Sequence, residues 1–309
     1  MQSRPRKSSL PSSSDIFGKA DIKIEPPDGR IKLHPADLPA SGGTLTFAGV
    51  KAALQSLELT DKPVIAHASV KAFGLIEEGA LALFDALIAS VGALVMPTFT
   101  YKTMITPEVG PPNNGITYGT AQDINRMAEP FREDLPADPL MGALPEILRR
   151  HPGARRTQHP ILSFAGLRAD AALETQTILE PLAPIGALAR ADGWVLLLGV
   201  DHTVNTSIHF AEKLMDRKQF TRWALLPSRV MECPGFPGDS AGFNEIAGDI
   251  ARDTLFVEVG NAVVQAVPLK RLMEAVTAQL KQDPLALLCR RDDCERCAAV
   301  RAVVFGKIS

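Results

Sequence analysis

Along this chain the spacing of apolar residues switches repeatedly between a helical and an extended period. "TFAGVKAALQSLEL" puts Val50, Ala53, Leu54 and Leu57 on one helical face behind Thr46 as capping residue. "PVIAHAS", Pro63 to Ser69, is a short apolar run of the buried-strand type. "EEGALALFDALIASVG" reads as a helix opened by Glu77 and Glu78, acids where the macrodipole favours them. "ALVMPTFT" predicts a second buried strand stopped at Pro97, and "WVLLLGV" a third. "PLMGALPEILRRHPG", "ADAALETQTIL" and "NTSIHFAEKL" read as helices, and Arg155 to Leu167 as a turn and strand. "LFVEVGNAVVQAVPL" predicts a hairpin turning at Gly260 and Asn261. Buried strands alternating with helices predict an α/β fold: a three-layer α/β/α sheet domain with an antiparallel element added late.

Two stretches lack any period. Residues 1–45 carry Ser, Pro and charge and read as an N-terminal arm. Residues 46–309 then form one domain that closes in a cysteine-containing segment, 284–309. The second stretch, Thr98 to about Asp138, is long for an irregular connection, which marks a functional or disordered loop. Its acids Glu129, Glu133 and Asp134 are interleaved with Arg126 and Arg132. They form either a rim that attracts a cationic ligand or a solvated face.

Composition narrows the classes. With 46% hydrophobic and 22% charged residues in 309, the chain has the balance of a globular protein with a sizeable core. A formal net charge of -2 gives no reason to expect nucleic acid or an anionic membrane as partner. No apolar run is long enough for a transmembrane helix, and the first residues lack the apolar core of a secretory signal, so the expected location is cytoplasmic. Cys289, Cys294 and Cys297 are spaced C-x4-C-x2-C, with Cys233 distant. They are read either as a structural zinc site or as reduced thiols that cluster by chance.

Three segments carry candidate chemistry. His67 and Ser69 end a predicted strand, and Val70, Lys71 and Gly74 follow in a loop. Such an edge presents backbone N–H groups to phosphate oxygens, although an ordinary turn is the plainer alternative. In "RTQHP", Pro160 biases His159 toward extended backbone just before an apolar strand. In "NTSIHFAEKL", His209 and Glu212 lie three apart on one helix face. A carboxylate bonded to an imidazole fixes its tautomer and raises its basicity, so Glu212 is expected to orient His159 as a general base. The alternative pairs Glu212 with a basic neighbour on a solvated face.

At these residues the chain resembles the antibiotic N-acetyltransferase family, best known for aminoglycoside 3-N-acetyltransferases. "HASVKAFG", "GALVMPTFT", "RRTQHPILSFAG", "PIGALARADGWVLLLGV" and "NTSIHFAEKL" carry the resemblance, in the family's order, across roughly residues 46 to 260. The resemblance implies an antibiotic-resistance acyltransferase with acetyl-CoA as donor and the 3-amino group of an aminoglycoside's 2-deoxystreptamine as acceptor. Its catalytic histidine falls on His159 and its glutamate on Glu212. Its coenzyme loop falls on His67, Ser69, Val70, Lys71 and Gly74, with Thr98 at the neighbouring strand end. Thr157 stands where serine is common and is a candidate oxyanion donor. Glu129, Glu133, Asp134 and His209 are expected on the acceptor side, and a homodimer is the oligomer expected. The implied reaction is direct attack of the amine on the thioester, without an acyl-enzyme. Three rivals stay open: acetylation of a non-antibiotic amine in biosynthesis, a non-catalytic binding protein on the same fold, and a metal-dependent hydrolase. The hydrolase would use His67, His159, His202 and His209 with Glu212.

Overall fold

The computed structural model describes residues 44–308. The arm expected at 1–45 therefore lies outside the described residues, except for Thr44 and Leu45. Leu45 is buried and bridges in parallel to Ile76.

Among the described residues, ten strands form in chain order: β1 (Pro63–Ala68), β2 (Ala93–Pro97), β3 (Met104–Ile105), β4 (Ala154–Arg156) and β5 (Phe164–Leu167) come first. β6 (Trp194–Leu198), β7 (Phe220–Leu225), β8 (Val230–Phe236), β9 (Leu255–Val259) and β10 (Ala262–Pro268) complete them. The helices are α1 (Phe47–Gln55), α2 (Gly79–Ile88), α3 (Gln122–Asn125), α4 (Ala143–Arg150) and α5 (Asp170–Leu173). They continue with α6 (Ala183–Arg190), α7 (Thr206–Leu214), α8 (Ala247–Ile250), α9 (Leu269–Gln282) and α10 (Glu295–Ile308).

Seven strands make the main sheet in the order β4-β5-β2-β1-β6-β10-β9. The central β2, β1 and β6 are parallel, and the outer strands run antiparallel to their neighbours. The parallel strands read as unbroken apolar runs because both faces are covered. Val64 and Ala66 of β1, with Leu196 and Leu198 of β6, pack in the core holding α1, α2 and α4. Ile65, Val195 and Leu197 point into the opposite core, shared with α6, α7 and α9. The expected three layers are thus present, and β9–β10 is the expected late hairpin, with Gly260 at its turn.

Three details depart from the sequence reading. Glu77 and Glu78 precede α2 rather than filling its first turn, and Glu78 has φ +61° at the cap. "ADAALETQTIL" is helical only over Asp170–Leu173. A second, three-stranded sheet, β3-β7-β8, was not foreseen. It orders the aperiodic stretch after β2: Asn114 Oδ1 accepts from Thr221 N at 2.9 Å, and Phe131 N donates to Leu225 O at 2.9 Å. Among the described residues, no helix is long and apolar enough to cross a membrane.

Candidate active site

The carboxyl ends of β2, β1 and β6 lie side by side, and β1 leads to β2 on one side while β6 pairs on the other. In open α/β sheets such a reversal leaves a crevice where ligands bind. The candidate residues collect at this edge.

His67 is buried near the end of β1, and burial, reinforced by nearby His202, holds its imidazole down at about 3. His202 follows β6; burial lowers it to about 4, and its Nδ1 lies 3.2 Å from Asn205 Nδ2. Ser69 N donates to Leu198 O at 3.0 Å, and Val70–Phe73 then make one tight turn ending at Gly74, with φ +82°. Gly199, at φ +65°, lets this turn close: a Cβ there would sit 2.5 Å from that of Ala72. The expected coenzyme loop therefore exists as a loop. At the start of α2, exposed Glu77 and Glu78 place negative charge, which disfavours an anion there.

His159 sits on the connection from β4 to β5, which is stapled to the end of β2. Thr98 N donates to Ser163 O and Thr100 N to Ile161 O, each at 2.9 Å. The hydroxyls of Thr100 and Thr103 both donate to Pro160 O, at 2.6 and 2.8 Å. His159 is 3% exposed, and burial lowers its imidazole to about 4, so it is neutral at physiological pH. Its Nδ1 accepts from Leu162 N at 2.9 Å and Ile161 N at 3.2 Å. The buried Nε2 atoms of His159 and His67 make no hydrogen bond to the protein.

The pairing expected between His159 and Glu212 is not formed. Glu212 Oε2 lies 2.8 Å from His209 Nδ1, and Oε1 accepts from Arg217 at 2.7 Å. Glu212 stands six residues beyond Thr206, about 9 Å along α7. Its face packs toward the core with α9, and His209 stacks edge-on against Phe243, 4.6 Å between ring centres. His209 is buried, and its Nδ1 is taken up by Glu212. The sequence reading weighed a basic neighbour on a solvated face; Arg217 is a basic neighbour, but the pair is buried.

Thr157 is also engaged locally. Its Oγ1 accepts from Phe164 N at 2.8 Å, which closes the loop that presents His159. Thr98 is buried with its hydroxyl on Ser163, 3.2 Å from both the carbonyl and the side-chain oxygen. One residue passed over in "RRTQHP" organises this corner. Arg156 donates to Thr98 O at 2.8 Å, Ser163 Oγ at 3.1 Å, Glu133 O at 3.0 Å and Leu135 O. Burial lowers its guanidinium to about 10, and a planar fork is the side chain suited to so many acceptors. A run of two arginines before a turn was the available signal.

Arg156 also draws the acidic segment to His159. Glu129 pairs with Lys102 at 3.1 Å and Asp134 with Arg132 at 3.2 Å. Glu133 instead accepts from the neutral amide of Gln158, the residue before His159. Of the three predicted acids, Glu133 is the one placed beside the turn without a basic partner among the described residues.

The cysteines divide. Cys289, Cys294 and Cys297 come together with Asp239, while Cys233 lies apart on β8 with its Sγ 3.7 Å from Met231 O. Nor do His67, His159, His202, His209 and Glu212 converge. Among the described residues, the cysteine group is the one place where three or more metal-ligating side chains meet. The five-residue metal site of the hydrolase reading is not assembled.

The carboxyl edge of a parallel-centred α/β sheet is where small ligands bind, and a neutral imidazole there is suited to proton transfer. The chain belongs to the aminoglycoside 3-N-acetyltransferase family, whose sequence pattern matches residues 65–281. It is 34% identical over 191 residues to aminoglycoside N(3)-acetyltransferase IX of Micromonospora chalcea, covering 57% of this chain and 64% of that relative. The match thus spans less than two thirds of the relative's length. The fold is similar to aminoglycoside acetyltransferase AAC(3)-IVa, with a TM-score of 0.68 at 23% identity, covering 84% of this chain and 98% of that one. AAC-IIIb in binary complex with CoASH superposes with a TM-score of 0.63 at 22% identity, covering 78% and 97%.

Proposed function

We propose that this protein transfers an acetyl group from acetyl-CoA to an amine of an aminoglycoside, the 3-amino group of its 2-deoxystreptamine ring. The observation that carries the reading is His159: a buried, neutral imidazole with an unpartnered Nε2, stapled to the carboxyl edge of the sheet beside Glu133. Family membership supplies the reaction class. AAC-IIIb has been seen with CoASH, and a mutant of AAC(3)-IVa with a gentamicin and with apramycin, which supports the donor and the acceptor.

The neutral amine adds to the thioester carbonyl, its N–H proton leaves, and the coenzyme departs as the thiol. On the main reading, His159 takes the amine's proton as general base. A second reading follows from the bonds to Nδ1: while Nδ1 accepts from Leu162, the ring's proton is on Nε2, and His159 presents a donor to the carbonyl oxygen as charge builds there. Reaching the base tautomer forfeits the backbone bonds, at about 1–3 kcal/mol. A general base is worth roughly a hundred- to ten-thousand-fold in rate, about 3–5 kcal/mol, so that cost does not forbid the main reading. The turn of Val70–Phe73 and Lys71 would meet the coenzyme, and Glu133 the cationic acceptor. Zinc enters this reading only as a structural ion of the C-terminal tail, with no part in acyl transfer.

The test is thiol release from acetyl-CoA across a panel of aminoglycosides and smaller amines, with the acetylated position found by mass spectrometry and NMR. Release with 2-deoxystreptamine aminoglycosides and acetylation at the 3-amino group is expected. Turnover confined to simple amines would replace the substrate, and no turnover with any amine would overturn the reaction.

A further inference from the structure

Three cysteine sulfurs and a carboxylate oxygen meet where the C-terminal tail crosses the loop after β8. One ligand atom from each of Asp239, Cys289, Cys294 and Cys297 lies within 4.8 Å of all the others, and all four residues are buried. We propose that these four side chains form a binding site for one zinc ion, with Asp239 as the fourth ligand. The site is independent of the acetyl-transfer reading.

Its dimensions fit a single ion. Zinc–sulfur bonds of about 2.3 Å in a tetrahedron separate the sulfurs by about 3.8 Å. An iron–sulfur cluster would need room for bridging sulfides between its cysteines. Thiolates favour zinc over magnesium or calcium, which take oxygen ligands.

The surrounding charges fit as well. Three thiolates and one carboxylate carry four negative charges, and Zn²⁺ cancels two of them. Arg291 and Arg296 supply the rest, with guanidinium nitrogens 3.0 and 3.3 Å from Asp239 Oδ2. Asp239 Oδ1 accepts from Ala241 N at 3.0 Å, the kind of outer contact that fixes a ligating carboxylate. Cys233, on its separate strand, takes no part.

The ion would clasp the tail to the buried Glu212–Arg217 pair and to the irregular stretch after β2. Just before Cys289, Pro284 O and Ala286 O accept from Arg217, the partner of Glu212, at 2.7 and 2.8 Å. On either side of Cys297, Glu295 accepts from Thr117 at 2.6 Å and Ala299 O accepts from Asn113 at 3.2 Å. Both Asn113 and Thr117 belong to the irregular stretch on the acceptor side.

The experiment measures metal in full-length protein purified without a metal-affinity step and kept reduced. About one zinc per chain is expected. Cys233→Ser should retain it, while Asp239→Asn and Cys294→Ser should lose most of it. Zinc-free protein that stays empty after reconstitution overturns the site, as does iron in its place or loss of zinc from Cys233→Ser equal to that from Cys294→Ser. If the variants fail to fold, cobalt-substituted wild-type protein decides. A charge-transfer band of three thiolates supports the assignment, and a band of four returns Cys233 and excludes Asp239.

Discussion

His159 Nδ1 accepts a hydrogen bond from the backbone N–H of Leu162 at 2.9 Å, so the backbone, rather than a carboxylate, orients this imidazole. A backbone N–H can only donate, which places the ring's proton on Nε2. Nitrogen NMR of the free protein should show His159 as the neutral Nε2–H tautomer from pH 7 down to about pH 5, since burial holds its titration near about 4. A charged ring at pH 6 would contradict the packing of this turn.

Replacing His159 with Ala should lower turnover roughly a hundred- to ten-thousand-fold with little change in coenzyme affinity. Gln separates the two readings of its role. An amide can donate but cannot serve as a base, so appreciable recovery in His159→Gln over His159→Ala marks the donor role. Equal loss in both marks the base. Near-parental turnover in a folded His159→Ala would remove the residue from the chemistry.

Glu212 and Arg217 form a buried ion pair, with side chains 3% and 5% exposed. Glu212→Ala leaves the guanidinium uncompensated and should cost about 3–5 kcal/mol of stability. Glu212→Gln should cost less, and the double variant with Arg217→Met should recover much of the loss. Urea unfolding beside steady-state kinetics checks this. A collapse of kcat in Glu212→Gln with unchanged stability would show that the carboxylate acts in the reaction rather than in the fold.

Glu133→Gln should raise KM for a polycationic acceptor and leave that for acetyl-CoA unchanged. Asp134→Asn should do less, because Arg132 already balances that charge. The Glu133 effect should shrink in high salt, since exposed charges are screened beyond about 10 Å at 0.1 M. Parental KM values across all salts would detach the acidic segment from the acceptor.

Acid should destabilise the fold well before its carboxylates titrate. His67, His159 and His202 are held at about 3, 4 and 4 when folded, below the 6.5 of an unperturbed imidazole. Between these values the unfolded chain binds more protons, so stability falls as pH drops from about 6.5 toward 4, by up to about 1.4 kcal/mol per pH unit for each histidine. Thermal melts at pH 7, 6 and 5 should show a decline that His202→Asn partly relieves, and a flat profile would refute it.

Local pattern determined much of this protein. The central strands were legible because a strand buried on both faces must be apolar throughout, as in "WVLLL" and "ALVMP". Thr46 capped its helix as expected, with Oγ1 3.2 Å from Gly49 N. Pro160 predicted a break before the apolar run in the same way, and His159 lies on the irregular connection from β4 to β5. The sheet β3-β7-β8 was missed because β3 is two residues long and takes its register from β7 across more than a hundred residues, while β7 and β8 form a half-exposed hairpin without an unbroken apolar run.

Partner choice is where sequence stopped and tertiary structure decided. Spacing placed His209 and Glu212 on one helix face, which holds, but not which imidazole the carboxylate would meet. Spacing grouped three cysteines, while Asp239, fifty residues upstream of Cys289, came to them through the crossing of the tail over the β8 loop. Arg156 gained its acceptors from strand ends and a loop that only the fold brings into reach of one guanidinium. Period and turn chemistry are properties of neighbouring residues and can be read in order along the chain. A hydrogen bond of about 2.9 Å between distant residues depends on how the layers pack, and packing belongs to the assembled core.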